Sequence, residues 1–599
     1  MTDMHCLYPK KIDKNLLDQC YRDIRDSMSK GNINVLDDYK NIPYVLVDET
    51  GGYVQTKASV YDAARLYVAL EYIISKNKNE EFERLTAYQD FFDSNHSTEL
   101  HSLLNKYLKG EKSDTFRDIE IDLVKGSIYK IKKYFLENDK IKDIRGGSVI
   151  IDYLNTQVTD KVVQDYLIDE CKIYSGGGNV FLLTPAGKGE EICRVLEQRY
   201  SDIALTVQNA FETYPTNINE FLFNFNQVSQ KLTIKLEERK KAKIYPINPE
   251  SSITEIKIND EIIHFPQQVQ PQSGGVCELC QVRDGKYLLN NIDKKILACP
   301  SCARKNQTGR DKSRFYKEYQ KVTGKRIIKD IKSIEDLGDD NKSVAVIYGD
   351  GNNMGNVVKN IRTPFEMSYF SRRTDEITKS CVYHAIEKNM GEEARFEVIA
   401  LGGDDIFIIV PANYCLDISK DIVKSFDEAF NHEITMSVGI CIAKFSTPIK
   451  NMFAIAQRKL KTAKQYVKAK GLNQGSIDLE VLQGVGIIDW NKKRKGLFPT
   501  THEQLSKFVE VLNKMKQDKK RIKPAQIYKF RYAAEKMEKE EFKLFYLYQQ
   551  SRIGNQYSTY IEKIYNVKHF IGLIKEDNIE YSPWDDITIL LDYTRGDGH

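Results

Sequence analysis

Acids beside glycines, and cysteines in pairs, are the residues of this chain whose types and spacing can do chemistry. LGGDD (401–405) puts two carboxylates at the tip of a glycine turn. Glycines let a backbone turn sharply and let a ligand approach it closely. Alone, the stretch reads as a surface hairpin, because Gly and Asp are common turn residues. The run SVAVIYGDGNNMG (343–355) changes that reading, since an apolar strand there ends in Asp350. A buried strand delivering Asp350 beside a hairpin delivering Asp404 and Asp405 gives hard oxygen ligands suited to Mg²⁺ or Mn²⁺. Three acids so placed repel one another unless a cation sits between them. Two such ions can activate a 3′-hydroxyl and hold the departing pyrophosphate of a nucleoside triphosphate.

Phosphates also call for cations. AQRKLKTAKQYVKAKG (456–471) carries Arg458, Lys459, Lys461, Lys464, Lys468 and Lys470 and no acid. Lys461, Lys464 and Lys468 share one face at helical spacing, and Lys464 is the preferred phosphate ligand. Taken alone, this helix reads equally as a solvated basic face. Cys277, Cys280, Cys299 and Cys302 form C-x2-C-x18-C-x2-C. Four thiolates at that spacing satisfy tetrahedral Zn²⁺ and leave no open position, which predicts a structural site; a redox pair is the competing reading. YLLNNIDKKIL between the pairs reads as a small hairpin.

The elements that must position these residues occur twice. SGGGNVFLLTP (175–185) aligns without a gap with LGGDDIFIIVP (401–411), with Gly178-Asn179 in place of Asp404-Asp405. Around the first copy, the strand IEIDLV leads into a glycine turn, with helices at about 158–171, 187–200 and 217–230. Around the second, the strand at 343 is followed by a helix at about 365–388, a hairpin, a helix at about 415–430, the strand ITMSVGICIAKF and a helix at about 451–470. Two such βαββαβ units predict an α+β chain with two ferredoxin-like domains. The expected boundaries are 1–117, mostly helical with one strand or turn; 118–249, first palm; 250–330, zinc-binding and bracing the two palms; 331–485, second palm; and 486–599, a helical bundle.

Composition sets limits. Of 599 residues, 41% are hydrophobic and 29% charged, as in ordinary soluble chains. The net charge of +4 assigns any nucleic-acid contact to local patches. No apolar run nears the ~18 residues of a membrane span, and there is no signal peptide pattern. Seven of the eleven cysteines are scattered, which argues against a disulfide framework and for a reducing cytoplasm. Among these, Cys171, Cys193, Cys381, Cys415 and Cys441 read as core residues.

Taken together, the motifs resemble the large, polymerase–cyclase subunit of type III CRISPR–Cas effector complexes, from about 118 to the end. GSIYKIKKYFLENDKIKDIRGGS (126–148) is similar to the start of that family's first palm and YSGGGNVFLLTP to its degenerate hairpin. CELC and CPSC sit where its zinc insertion sits. YGDGNNMG and LGGDD resemble its catalytic palm, ITMSVGICIA the following strand, and SPWDD its C-terminal helical region. The resemblance implies a multi-subunit antiviral complex. In it, guide RNA pairing with target RNA switches on synthesis of a nucleotide second messenger, mostly cyclic oligoadenylate from ATP. It implies that Asp350, Asp404 and Asp405 are the catalytic, metal-binding acids. Gly351, Asn352, Asn353, Gly402, Gly403 and Lys464 would face one nucleotide, and Gly176 and Gly177 a second.

Two departures stand out. The family's best-known members begin with a His-Asp nuclease domain, and no His-Asp dipeptide occurs in this sequence; His5, His96 and His101 are the only histidines before His264, so no DNase activity is expected. Asn352 stands where related palms carry another acid, which leaves open a product joining ATP to S-adenosylmethionine. A non-catalytic scaffold is the competing reading of another class, and a diguanylate cyclase ranks below both. The runs Lys519, Lys520, Arg521, Lys523 and Arg239, Lys240, Lys241, Lys243 read as RNA contacts or as solvated helix ends. Lys188 lacks the spacing of a phosphate loop.

Overall fold

The computed structural model describes residues 9–595 except 48–52, 94–97, 259–260, 266–274, 291–294, 311–312, 329–330, 332, 483–495, 519 and 577–578. The chain divides into two compact units, one of Met1–Arg314 with Asn353–Glu376, the other of Phe315–Asn352 with Ile377–His599.

In the first unit, helices Lys14–Ser29, Val60–Lys78, Arg84–Phe92 and Glu99–Lys109 accompany a hairpin of Pro43–Val47 and Tyr53–Ser59. Val60–Lys78 starts where the Ser59 hydroxyl accepts the Asp62 N–H and stops at Asn79 in the left-handed region. A four-stranded antiparallel sheet follows, built from β1 (Glu120–Tyr129), α1 (Ile141–Tyr153), β2 (Lys172–Gly176), β3 (Asn179–Pro185), α2 (Gly189–Ala204), β4 (Gln208–Asn217) and α3 (Phe225–Ala242). Its strand order β2-β3-β1-β4 is that of a ferredoxin-like fold.

The sequence reading needs two corrections here. The expected glycine turn after IEIDLV is not a turn: β1 runs on through Gly126 to Tyr129. Gly126 is there because a Cβ would lie 2.1 Å from the Phe211 ring on the neighbouring strand. The helix expected at 158–171 is the end of a longer one, in which α1 passes through a π turn at Leu154–Val158 and ends at Tyr166.

The cysteine segment forms a hairpin of β5 (Tyr287–Asn290) and β6 (Lys295–Ala298), then α4 (Pro300–Thr308). Helix α4 lies hard against α1 of the first palm: a Cβ on Gly146 would meet the Lys305 carbonyl at 1.8 Å, and one on Gly309 the Lys142 carbonyl at 1.8 Å.

The second unit repeats the palm with β7 (Ser343–Asn352), α5 (Pro364–Met390, which enters this unit at Ile377), β8 (Glu397–Gly402), β9 (Asp405–Pro411), α6 (Cys415–Ala429), β10 (Thr435–Lys444) and α7 (Ile449–Lys470). Two further strands, β11 (Ser476–Val481) and β12 (Thr500–Thr501), extend the sheet to β8-β9-β7-β10-β11-β12, with β10 and β11 parallel. Val344, Ala345, Val346 and Ile347 of central β7 are fully buried, so an unbroken apolar run rather than alternation marks this strand. Helices His502–Gln517, Pro524–Lys536, Lys539–Ile553, Gln556–Tyr565 and Trp584–Leu590 complete the unit, with a short hairpin at Ile574–Glu576 and Ile579–Tyr581. Trp584 of SPWDD is fully buried against Phe530, Tyr546, Phe570 and Tyr557. Asp586 accepts the Leu497 N–H at 2.7 Å.

Candidate active site

The two palms share one register. Gly349 pairs with Ile406 and Val438 as Gly126 pairs with Val180 and Phe211. Both hairpins carry an irregularity at the same point, between Val398 and Ala400 and between Lys172 and Tyr174. The match therefore assigns each position of one palm to its counterpart in the other. Ser127 stands at the place of Asp350, Gly178 at that of Asp404, Asn179 at that of Asp405, and Lys125 at that of Tyr348.

Strand parity then sets the chemistry. Residues two apart in a strand point to one face. Tyr348 and Asp350 share a face of β7, and because Tyr348 pairs with Phe407, Asp405 stands on that same face of β9. Asp404 occupies the tip of the hairpin, after Gly403 at φ 58°. Burial and the charges of Asp350 and Asp405 push the Asp404 carboxyl up to about 7. The Lys464 ammonium on α7 bonds the Asp350 carboxylate and donates to the Gly351 carbonyl at 2.7 Å. The residue expected to meet phosphate thus stands on the acid it was expected to serve beside.

The other expected residues are placed as follows. Asn352 donates to Thr435 Oγ1 at 2.8 Å, and its own carbonyl oxygen is buried without a hydrogen-bond partner. Asn353, at φ 64°, opens the short helix Met354–Asn360, which belongs with the first unit. Gly402 pairs with Asp405 at the base of the turn. Space is open around the Cβ positions of Gly403, Gly176 and Gly177. Sequence reasoning missed Tyr348, whose hydroxyl donates to Asp405 Oδ1 at 3.1 Å. The signal was a polar-tipped aromatic two residues before the strand's acid.

The first palm's turn has a different backbone. Gly177 and Gly178 both have positive φ, 58° and 84°, whereas in LGGDD only Gly403 does. A Cβ on Gly178 would lie 2.5 Å from Ile131 Cδ1. An acid at the counterpart of Asp404 would therefore be strained as well as crowded.

The four cysteines converge. Cys277, Cys280, Cys299 and Cys302 are buried and their sulfurs all lie within 4.8 Å of one another, with Cys280 and Cys299 at 3.9 Å. Tetrahedral Zn²⁺ at 2.3 Å from each sulfur needs about 3.8 Å between them, so the site fits that ion. Arg283 directs a guanidinium N–H to Cys280 Sγ at 3.7 Å and to Cys299 Sγ at 3.9 Å, and also bonds Glu137. Glu137 in turn meets the fully buried Lys305 of α4 at 2.7 Å.

Several of the remaining candidates are held in ion pairs. Arg239 and Lys243 both pair with Glu197 at 2.9 Å, and Lys240 pairs with Glu237. Lys188 pairs with Glu191. Lys519 lies outside the described residues, as do His5 and His96. His101 packs edge-on against Tyr67 and Phe91, and burial lowers its pKa. Cys171, Cys193, Cys381, Cys415 and Cys441 are buried, as core residues should be. No helix among the described residues is long and apolar enough to cross a membrane.

Comparison with known proteins places both palms in a described family. The family model "Cas10/Cmr2, second palm domain" matches residues 343–471, and "Csm1 subunit domain B" matches residues 119–256. A curated relative from Enterococcus italicus, a CRISPR system single-strand-specific deoxyribonuclease Cas10/Csm1 of subtype III-A, is 21% identical over 417 residues, covering 60% of this chain. The matched region spans only 54% of that relative's length. Among solved structures, a Csm1-Csm4 cassette in complex with AMPPNP matches with a TM-score of 0.54 at 15% identity, over 96% of this chain and 79% of that one. A Csm1-Csm4 cassette in complex with cA4 matches with a TM-score of 0.53 at 14% identity, over 90% and 76%. With one family model on each palm, an acidic hairpin in the second alone and a shared fold, the two palms of this chain are those of the Cas10/Csm1 family of type III CRISPR systems.

Proposed function

We propose that the second palm is a metal-dependent nucleotidyltransferase that makes a nucleotide second messenger, cyclic oligoadenylate from ATP, when a guide-RNA complex binds target RNA. The observation that carries this reading is the Asp404 carboxyl, pushed up to about 7 by burial and by the charges of Asp350 and Asp405. A buried carboxyl pushed up by neighbouring carboxylates marks a site built for added positive charge. The first palm holds Ser127, Gly178 and Asn179 at the same register, so only one of the two halves carries acids at these three positions. Chains of this fold have been solved with AMPPNP and with cA4, which supports ATP chemistry here.

Mg²⁺ or Mn²⁺, when bound, supplies Lewis acidity for the attacking hydroxyl and the departing pyrophosphate. The chain's own residues do the rest. Asp350, Asp404 and Asp405 hold the ions. Gly402 and Gly403 let a triphosphate approach the turn. Lys464 trades its carboxylate contact for phosphate. Gly176 and Gly177 are the residues of the first palm that take a second nucleotide, and the reaction is attack of a nucleotide 3′-hydroxyl on an α-phosphorus with pyrophosphate leaving. The four thiolates take Zn²⁺ as a structural ion that fixes α4 against the first palm. The protein works in the cytoplasm beside other effector subunits.

A second reading of the product joins ATP to S-adenosylmethionine, favoured by the neutral Asn352 with its unpartnered carbonyl oxygen. Both products come from the same acids, and mass spectrometry of reactions containing both substrates separates them. No DNase activity is expected, because the sequence holds no His-Asp dipeptide. Cleavage of single-stranded DNA with Mn²⁺ or Ni²⁺ that survives Asp404→Asn would overturn this.

A further inference from the structure

Strand β7 contributes more to the acidic site than Asp350. Tyr348 lies on the same face of the strand and its hydroxyl donates to Asp405 Oδ1 at 3.1 Å, across the strand pair. The ring is 4% exposed. It is held between Phe453 of α7, 5.0 Å away, and Phe407 of β9, 6.3 Å away, which themselves stack at 4.7 Å. This packing immobilises the ring, and the ring places the hydroxyl. A phenylalanine would fill the same apolar space, so packing does not account for the hydroxyl. What the hydroxyl adds is a hydrogen bond to the Asp405 carboxylate, which restricts the rotamers that carboxylate adopts.

The first palm serves as an internal control. At the counterpart of Asp405 it has Asn179, and at the counterpart of Tyr348 it has Lys125, whose ammonium turns to Thr233 Oγ1 at 2.8 Å on α3. The phenol is present in the palm with the acid and absent from the palm without it.

We propose that Tyr348 is a positioning residue that pre-orders Asp405 for divalent-ion binding. The inference rests on the metal-dependent reading of the second palm. Pre-ordering moves the cost of fixing the carboxylate from metal binding to folding, so its loss weakens affinity more than it disturbs the fold.

The test is Mn²⁺ binding to the purified full chain, followed by electron paramagnetic resonance, with thermal unfolding measured in parallel. Wild type should bind Mn²⁺ in a mode that Asp405→Asn abolishes. Tyr348→Phe should unfold close to wild type and bind roughly tenfold more weakly, the worth of one hydrogen bond to a charged group. Nucleotide output, where assayed, should recover at saturating Mn²⁺. Equal Mn²⁺ affinity in Tyr348→Phe and wild type would overturn the role of Tyr348 and leave the metal site standing. Wild type without any Asp405-dependent binding would remove the metal site itself, and this role with it.

Discussion

The Lys464 ammonium is bonded to Asp350, one of the three acids of the second palm, and to the carbonyl of Gly351 next to it. Both side chains remain about a third exposed, at 29% and 34%, so the pair adds below about 1 kcal/mol to folding. In the proposed reaction, the pair serves to keep a cation beside Asp350. Lys464→Met should leave thermal stability nearly unchanged and lower kcat/KM for ATP by on the order of a hundredfold. Steady-state kinetics beside thermal unfolding checks both halves.

The raised pKa of Asp404 gives a pH dependence with a definite sign. Its value moves from 3.8 to about 7 on folding. The folded protein therefore holds this proton more tightly than the unfolded chain, and stability falls as pH rises from about 4 to about 7. Metal-free protein should show a falling Tm across that window. Asp404→Asn should flatten this part of the curve, and added Mg²⁺ should recover stability above it. A Tm profile identical in wild type and Asp404→Asn would contradict the electrostatic account.

The first palm's turn allows a separation of fold from function. A Cβ on Gly176 meets nothing within 4 Å, so Gly176→Ala should be neutral for stability. If a nucleotide lies on that turn, the same change should cut product formation while Asp404-dependent metal binding persists. Gly178→Ala is different, with φ at 84° and Ile131 2.5 Å from the new carbon. It should destabilise by roughly 1–3 kcal/mol, read by denaturant unfolding.

Zinc should be measurable at one ion per chain by elemental analysis. Arg283 donates to two of the thiolates, so Arg283→Met should release zinc faster to a chromogenic chelator and weaken affinity roughly 10–100-fold. Cys277→Ser should lower stability. Zinc absent from the protein, with Cys277→Ser unfolding as wild type does, would remove the assignment.

How much of this was legible in the sequence depends on the range of each cause. The hairpins, the acidic strand and the cysteine pairs were legible because their signals are local: a glycine turn, an apolar run ending in Asp350, a C-x2-C spacing. The two palms were legible because two 11-residue stretches match without a gap. Gly126 was misread because its cause, the Phe211 ring, sits on a strand about 85 residues away, and only pairing brings them together. Strand β11 escaped because buried Asp478 interrupts its apolar character; Lys459 of α7 compensates at 3.8 Å. The link from Tyr348 to Asp405 also needed the register, since alternation gives the face of a residue but not its neighbour across the pair.

The most direct test of the central claim is mass spectrometry of products, with pyrophosphate release, from the reconstituted guide-RNA complex given ATP, Mg²⁺ and target RNA. The same assay is run on a complex carrying Asp404→Ala and Asp405→Ala. The account predicts pyrophosphate and linked adenylates from wild type, dependent on target RNA and abolished in the double variant. Equal output from both complexes, or none from wild type with ATP alone or with ATP and S-adenosylmethionine, would contradict it and leave the palms as a scaffold.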